Sequence, residues 1–102
     1  MNKTIAVDFD GVIHKYSKGW HDGSIYDGPV EDVKRALDLL RERGFSIVIF
    51  TCRPDLESII VWCKMHNITV DEVTHTKPKA IAYIDDRGLR FTNWQDMIRY
   101  FV

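Results

Sequence analysis

The chain has 102 residues, of which 45% are hydrophobic and 12% aromatic. This length suits one domain with a single core, and the apolar content excludes a disordered chain. Fourteen basic and fifteen acidic side chains give a formal net charge of -1, so nothing in the overall charge attracts the chain to nucleic acid or to an anionic membrane.

The beginning of the chain does not resemble a secretion signal, because a strand-like run follows Lys3 and reaches an aspartate at position 8. No apolar stretch approaches the roughly 20 residues of a membrane-spanning helix. Cys52 and Cys63 do not form a CxxC pair, which favours reduced thiols. We therefore expect a cytoplasmic protein with one domain over residues 1–102 and no membrane partner.

The first predicted strand is Thr4–Val7, an apolar run that stops at Asp8-Phe9-Asp10-Gly11. Residues 14–28 contain glycines and aromatic residues without a clear period, which predicts a loop or β-hairpin flap. A helix is predicted after Pro29, with Gly44 as its stop. Its apolar residues fall at i, i+3, i+7 and i+10: Val30, Val33, Leu37 and Leu40.

The second half of the chain repeats this alternation. An apolar run at residues 45–50 predicts a strand that ends at Thr51-Cys52-Arg53-Pro54, and Asp55 can cap the helix that follows, which stops near Asn67. Strands are predicted near 73–75, at 80–84 and, weakly, at 89–91. Asn93 can cap a last helix. The predicted inner faces of these two helices are Leu56, Ile59, Ile60 and Cys63, and Trp94, Met97, Ile98 and Phe101.

This order of elements predicts an α/β fold, specifically a three-layer, Rossmann-like, mainly parallel sheet with helices on both faces. In such a sheet, ligands bind at the carboxyl ends of the strands. The polar clusters after the strands at 4–7, 45–50 and 80–84 should all lie at that edge.

Two carboxylates at i and i+2 leave an extended strand on the same side, so Asp8 and Asp10 can converge on one small site. Asp85 and Asp86 end another strand and can join them. Mg²⁺ prefers carboxylate oxygens and keeps water and substrate phosphate as its other ligands. A turn signal alone can explain Asp8-Phe9-Asp10-Gly11, but it does not explain four such carboxylates together with Thr51 and a lysine.

These motifs, in this order, resemble the haloacid dehalogenase-like phosphatases. Residues 5–12 are similar to the family's first motif, a hydrophobic strand followed by DxDG, and residues 47–51 are similar to the second, an apolar strand ending in Thr or Ser. Lys77 or Lys79 resembles the lone lysine of the third motif, with Lys77 favoured because proline follows it. Residues 83–86, ending in Asp85 and Asp86, resemble the fourth.

The resemblance implies that Asp8 attacks phosphorus to form an aspartyl-phosphate and that Asp10 is the acid and base. It implies a Mg²⁺ ion held by Asp8, the backbone carbonyl of Asp10 and Asp85, with Asp86 bound directly or through water. The residues expected to bind the phosphate are Thr51, Cys52, Arg53 and Lys77.

Two arginines directly follow motifs. Arg53 and Arg87 either grip an anionic group of the substrate or pair with nearby acids. The four histidines lack metal-ligand spacing, which argues against zinc, and no catalytic role is predicted for them. They are His14, His21, His66 and His75.

Proteins of the family that this chain resembles usually insert a cap domain between motifs, but the stretches between motifs here leave no room for one. The resemblance therefore implies a fold of that type with no cap domain and a site that is open except for the flap at 14–28. Its aromatic and basic residues can stack a base or sugar and attract a phosphate, or they can simply pack the flap onto the domain. These residues are Lys15, Tyr16, Lys18, Trp20 and Tyr26. The expected substrate is a phosphate monoester, either a nucleotide, a nucleic-acid end or another small phosphate ester, and no motif in the sequence selects among these.

Two other functions compete with a phosphatase. A phospho-acceptor module that resembles a receiver domain also uses acids, Thr and Lys, but it places its paired acids first and the acceptor aspartate on a middle strand. A non-catalytic Mg²⁺-binding protein would keep the same site without turnover. Because the DxD pair comes first and Asp10 supplies an acid and base, the hydrolase is the favoured hypothesis.

Overall fold

The computed structural model describes residues 2–20, 22–85 and 89–102. The strands in these ranges are β1 (Thr4–Val7), β2 (Ser46–Phe50), β3 (Glu72–Thr74), β4 (Ala82–Asp85) and β5 (Leu89–Arg90). The helices are α1 (Val33–Glu42), α2 (Leu56–Met65) and α3 (Trp94–Phe101). None of the helices in these ranges is long and apolar enough to cross a bilayer.

The five strands form one parallel sheet in the order β3-β2-β1-β4-β5. In the central strand β1, Val7 pairs with Ile49 of β2 on one side and with Ile84 of β4 on the other. The chain runs outward from β1 to β3 and then returns to the opposite side of β1. The order therefore reverses between β1 and β4, which is where a Rossmann-like sheet offers its ligand crevice.

Alternate strand residues and all three helices share the main core. Ile5, Val7 and Ile84 are fully buried, and the indole N–H of Trp94 in α3 donates to the Val12 carbonyl at 3.0 Å. On the opposite side of the sheet, Tyr83 lies beneath residues 77–79, because its hydroxyl donates to the Pro78 carbonyl. The predicted α/β class is confirmed, with a parallel sheet flanked by helices.

The predicted helix caps are confirmed, but α1 begins later than its periodicity predicts. Asp55 accepts a hydrogen bond from the Ser58 N–H, Asn93 accepts one from the Asp96 N–H, and Gly44 has the positive φ of a helix stop. Val30 is not helical, since its N–H donates to the Ile13 carbonyl at 2.8 Å. The helix starts only after Asp32, whose φ is +72°.

The flap is a loop rather than a β-hairpin, since no strand lies in its described residues, 14–20 and 22–28. Its two ends meet where the Lys15 N–H donates to the Gly28 carbonyl at 2.9 Å, and an isolated bridge pairs His14 with Pro29. The indole N–H of Trp62 in α2 donates to the Asp27 carbonyl. These bonds hold the flap against the carboxyl edge of the sheet.

Candidate functional site

Asp8 and Asp85 lie side by side at the point where the strand order reverses. Val7 pairs with Ile84, and the Asp8 N–H donates to the Ile84 carbonyl at 3.0 Å, so the next residues of the two strands are neighbours. The Phe9 N–H donates to Oδ1 of Asp8 at 2.8 Å. The sheet itself thus brings these two predicted site residues together.

A cleft of about 690 Å³ opens at this edge of the sheet. Five of the predicted site residues line it: Asp8, Asp10, Thr51, Cys52 and Arg53. The flap and the start of α2 supply the other described lining residues: Tyr16, Trp20, Asp22, Gly23, Ser24, Ile25, Pro54, Asp55 and Ser58. A cleft of this size accommodates a small organic ligand.

The Asp10 carboxylate is held by Arg53 in a two-pronged ion pair. Nε of Arg53 donates to Oδ2 at 2.7 Å and Nη2 donates to Oδ1 at 3.0 Å. The third nitrogen, Nη1, donates to the Gly23 carbonyl of the flap at 2.6 Å. The hydrogen bond with Asp10 raises the pKa of Arg53. Arg53 therefore connects the predicted acid and base to the flap, and of the two roles predicted for it, the ion pair with an acid is the one formed.

His14 is a site residue that the sequence analysis missed. It is fully buried, its Nδ1 lies 2.9 Å from Oδ1 of Asp10, and its Nε2 accepts from the Asp27 N–H at 3.0 Å. Because Nε2 accepts, Nδ1 carries the proton and donates to Asp10. The only signal for this contact in the sequence is the spacing of four residues between Asp10 and His14.

The loop after β2 is arranged by Thr51. The side chain is 5% exposed, and its hydroxyl oxygen accepts from the Arg53 N–H at 3.1 Å, so the hydroxyl keeps its own proton to donate. The Arg53 N–H therefore already has an acceptor within the loop, and phosphate binding by Arg53 stays a prediction. Cys52 is exposed beside it.

Neither candidate lysine is among the described residues that line the cleft. Nζ of Lys77 lies 4.9 Å from the centre of the Tyr83 ring, and Lys79 is exposed. A catalytic role for Lys77 stays a prediction. Asp86 and Arg87 lie outside the described residues, as does His21.

The oxygen atoms available where the strand order reverses, between β1 and β4, fit a magnesium ion. Within the described ranges, no three His, Cys, Asp or Glu side chains form a ready-made metal site. Mg²⁺ needs less than that, since it is commonly held by one or two carboxylates with waters and substrate oxygens. Asp8 and Asp85, adjacent in register, supply carboxylates of this kind, and the Asp10 carbonyl is nearby in sequence.

The described lining of the cleft is acidic. It contains the carboxylates of Asp8, Asp10, Asp22 and Asp55 but one cationic side chain, Arg53, which is already paired. An anionic ligand would be repelled from such a surface unless a cation joined it. The charge of the cleft is thus compatible with a phosphate ligand that arrives with a divalent cation.

Comparisons with known proteins add support for the fold. No protein-family model matches the chain, and no curated protein matches it either. A solved structure described as a conserved protein from Bacteroides thetaiotaomicron superposes with a TM-score of 0.70 over 97% of this chain and 88% of that one. The two sequences are 23% identical, a likeness that supports the fold alone.

Proposed function

We propose that this chain is a Mg²⁺-dependent phosphohydrolase of the haloacid dehalogenase-like type, which cleaves a phosphate monoester through an aspartyl-phosphate on Asp8. One observation carries the proposal. Asp8, Asp10 and Thr51 line a single cleft at the carboxyl edge of a parallel sheet, with Asp85 beside Asp8 where the strand order reverses. These residues come from separate segments and are the ones that the motifs predict.

In the first step, a carboxylate oxygen of Asp8 bonds to phosphorus as the ester P–O bond breaks, and Asp10 gives its proton to the leaving oxygen. In the second step, water attacks the aspartyl-phosphate while Asp10 takes a proton from it, which releases inorganic phosphate and restores Asp8. The Thr51 hydroxyl donates to a phosphate oxygen.

The bonds from Arg53 and His14 fix the position of the Asp10 carboxyl group. Before the first step, Asp10 must carry the proton that it gives to the leaving oxygen. We infer that an incoming phosphate draws Arg53 toward itself and so weakens the ion pair with Asp10.

Mg²⁺ supplies positive charge that offsets the charge of the phosphate and of the acidic lining. Asp8, the Asp10 carbonyl and Asp85 would hold it, with Asp86 as a further ligand.

The proposal is tested by release of inorganic phosphate from a panel of phosphate monoesters, with Mg²⁺ or with EDTA. We expect Asp8→Asn to lower kcat/KM at least about a thousandfold, because an amide cannot form the covalent intermediate. The control is Asp38→Asn, an exposed aspartate of α1 paired with Lys34, which should retain activity.

Three outcomes would contradict the proposal. The first is that wild-type protein with Mg²⁺ hydrolyses no member of the panel. The second is that Asp8→Asn hydrolyses them as well as wild type does. The third is a stable aspartyl-phosphate without phosphate release, which would indicate a phospho-acceptor module instead.

A further inference from the structure

Trp20 is a large aromatic side chain left exposed inside the cleft. It is 71% exposed, whereas Trp62 and Trp94 are 6% and 0% exposed in the core. Trp20 lines the same cleft as Asp8 and Asp10. An indole on a flap above an acidic site is a surface on which a flat ring can stack.

Tyr26 holds the backbone of the flap just before Trp20. The Tyr26 hydroxyl donates to the Gly19 carbonyl and accepts from the Lys18 N–H, each at 2.9 Å, so the two residues before Trp20 are fixed. The other flap aromatic of the cleft, Tyr16, is engaged in packing. Its ring stacks on Tyr26 with centroids 6.1 Å apart, and the Arg53 guanidinium lies 5.8 Å from its centre. Of the two, Trp20 is the one presented to a ligand.

The rest of the described lining suits a nucleoside better than a bare hydrocarbon ring. Ile25 adds a half-buried apolar side chain, while Asp22 and Ser24 are polar groups that can bond to ribose hydroxyls. The volume of about 690 Å³ suits one nucleotide. Because the lining is acidic and the chain carries a net charge of -1, a polyanionic nucleic acid is a poor ligand.

We propose that Trp20 is the stacking platform for the nucleobase of a nucleoside monophosphate whose phosphate reaches Asp8. This inference rests on the proposed phosphatase function. It makes Trp20 a specificity-determining residue that distinguishes nucleotides from other phosphate monoesters.

The test compares kcat/KM for AMP and for ribose 5-phosphate, which has the same sugar and phosphate without the base. Stacking on an aromatic residue contributes about 1–3 kcal/mol per base, so Trp20→Ala should lower kcat/KM for AMP by about 5- to 150-fold. Turnover of ribose 5-phosphate should change less than about twofold, and Trp20→Phe should retain most AMP activity. The control is Tyr100→Ala, an equally exposed aromatic residue of α3 outside the cleft lining.

A second measurement separates this inference from the phosphatase proposal. Trp62 and Trp94 are buried, so Trp20 is the tryptophan that a bound base can contact. AMP should therefore quench the tryptophan fluorescence of the wild-type protein in Mg²⁺, and Trp20→Phe should abolish this quenching. Quenching without turnover of either ester would support the stacking site and contradict the phosphatase. Turnover of both esters with equal kcat/KM, unchanged in Trp20→Ala, would contradict the stacking site alone. Preference for a 5′-phosphorylated oligonucleotide over AMP would overturn the mononucleotide assignment.

Discussion

Arg53 makes three charge-assisted or polar contacts at once, two with Asp10 and one with the Gly23 carbonyl. A lysine has the same charge, but all its N–H donors are on one nitrogen, so it cannot reproduce the two-pronged geometry. We therefore expect Arg53→Lys to lower kcat/KM by about 10- to 100-fold, a loss of about 1.4–2.7 kcal/mol of transition-state stabilisation. Steady-state kinetics with a phosphate monoester measure this.

A matched control exists in Arg41, whose guanidinium pairs with Asp71 away from the cleft. Arg41→Lys should change kcat/KM less than about twofold, because the pair is exposed and contributes little. If Arg53→Lys matches wild type in both kcat and KM, then Arg53 has no role in orienting Asp10.

His14 contributes to stability through two kinds of contact. Its ring packs against Phe9 and Trp62, and its nitrogens bond to Asp10 and to the Asp27 N–H. We expect His14→Ala to lower the free energy of unfolding by about 2–4 kcal/mol, since both kinds are lost. His14→Phe keeps an aromatic ring but leaves the Asp27 N–H without its acceptor, which costs about 1–3 kcal/mol.

Urea unfolding measures both variants. The control is His66→Phe, in which a ring can still pack on Trp62, and this change should stay within about 0.5 kcal/mol of wild type. A His14→Phe protein as stable as wild type would show that packing alone accounts for the contribution of His14.

At the residue scale, local motifs predicted Asp8, Asp10 and Thr51, because a strand end places its own polar residues at the edge of the sheet. The contacts among those residues were not predictable in this way. The Asp10–Arg53 pair joins residues 43 positions apart, and the role of His14 depends on an Asp27 N–H that the closed flap brings to it. The position of Lys77 in a motif does not determine where its long side chain lies, because residue 77 is in a loop and its Nζ lies over the Tyr83 ring.

At the scale of elements, the stability that the flap contributes depends on pH. The Ser17 hydroxyl, and then its backbone N–H, donate to Asp27 and lower the pKa of that carboxyl from 3.8 to about 2. A pKa lowered on folding stabilises the native state above the unfolded value, and that stabilisation disappears as pH falls through the folded value. The contribution is therefore complete above about pH 4 and lost by about pH 2.

Ser17→Ala removes the largest cause of this shift. We expect the variant to be less stable than wild type at neutral pH, and the gap in unfolding free energy to shrink as pH falls from about 4 to about 2. Urea unfolding at a series of pH values measures the gap. The control is Ser46→Ala, at an exposed serine of β2, and its difference from wild type should not depend on pH. A gap for Ser17→Ala that is constant with pH would contradict the assignment.

Element boundaries near the flap show where periodicity misleads. Val30 fits the helical spacing of α1, yet its N–H closes the flap by bonding to Ile13. Val30 would be at least partly buried either in the helix or at the end of the flap, so hydrophobic spacing cannot distinguish these two arrangements. The positive φ of Asp32 that separates flap from helix is a tertiary feature with no signature in composition. Elements with a side-chain cap, such as α2 and α3, were predicted closely because the capping residue is local.

At the scale of the whole molecule, the alternation of strands and helices was sufficient to predict a parallel α/β sheet. Right-handed crossovers leave few alternatives for such an order, and parallel strands put their carboxyl ends at one edge. The alternation of strands and helices does not predict how charge is distributed over the folded protein. The chain is nearly neutral overall, but its cleft collects aspartates from β1, the flap and the start of α2.

This concentration of negative charge predicts that the folded protein is stabilised by Mg²⁺ even without substrate. A ligand that binds the native state alone stabilises it by RT ln(1 + [L]/Kd), which is about 2.7 kcal/mol at a hundredfold excess over Kd. For a chain of 102 residues this raises Tm by roughly 10 °C or more. Thermal unfolding in MgCl₂ measures the increase, and NaCl at the same ionic strength corrects for screening of surface charges.

Variants of Asp8 and Asp85, which lie where the strand order reverses between β1 and β4, test whether Mg²⁺ stabilises the protein by binding at this site. Asp8→Asn and Asp85→Asn each remove a carboxylate beside the point where β1 and β4 diverge, so each should abolish most of the Mg²⁺-dependent rise in Tm. Asp38→Asn removes one negative charge on α1 and should keep the full rise. If Asp85→Asn responds to Mg²⁺ as wild type does, the ion does not bind between β1 and β4. Since this readout requires no turnover, it tests the metal site independently of the substrate.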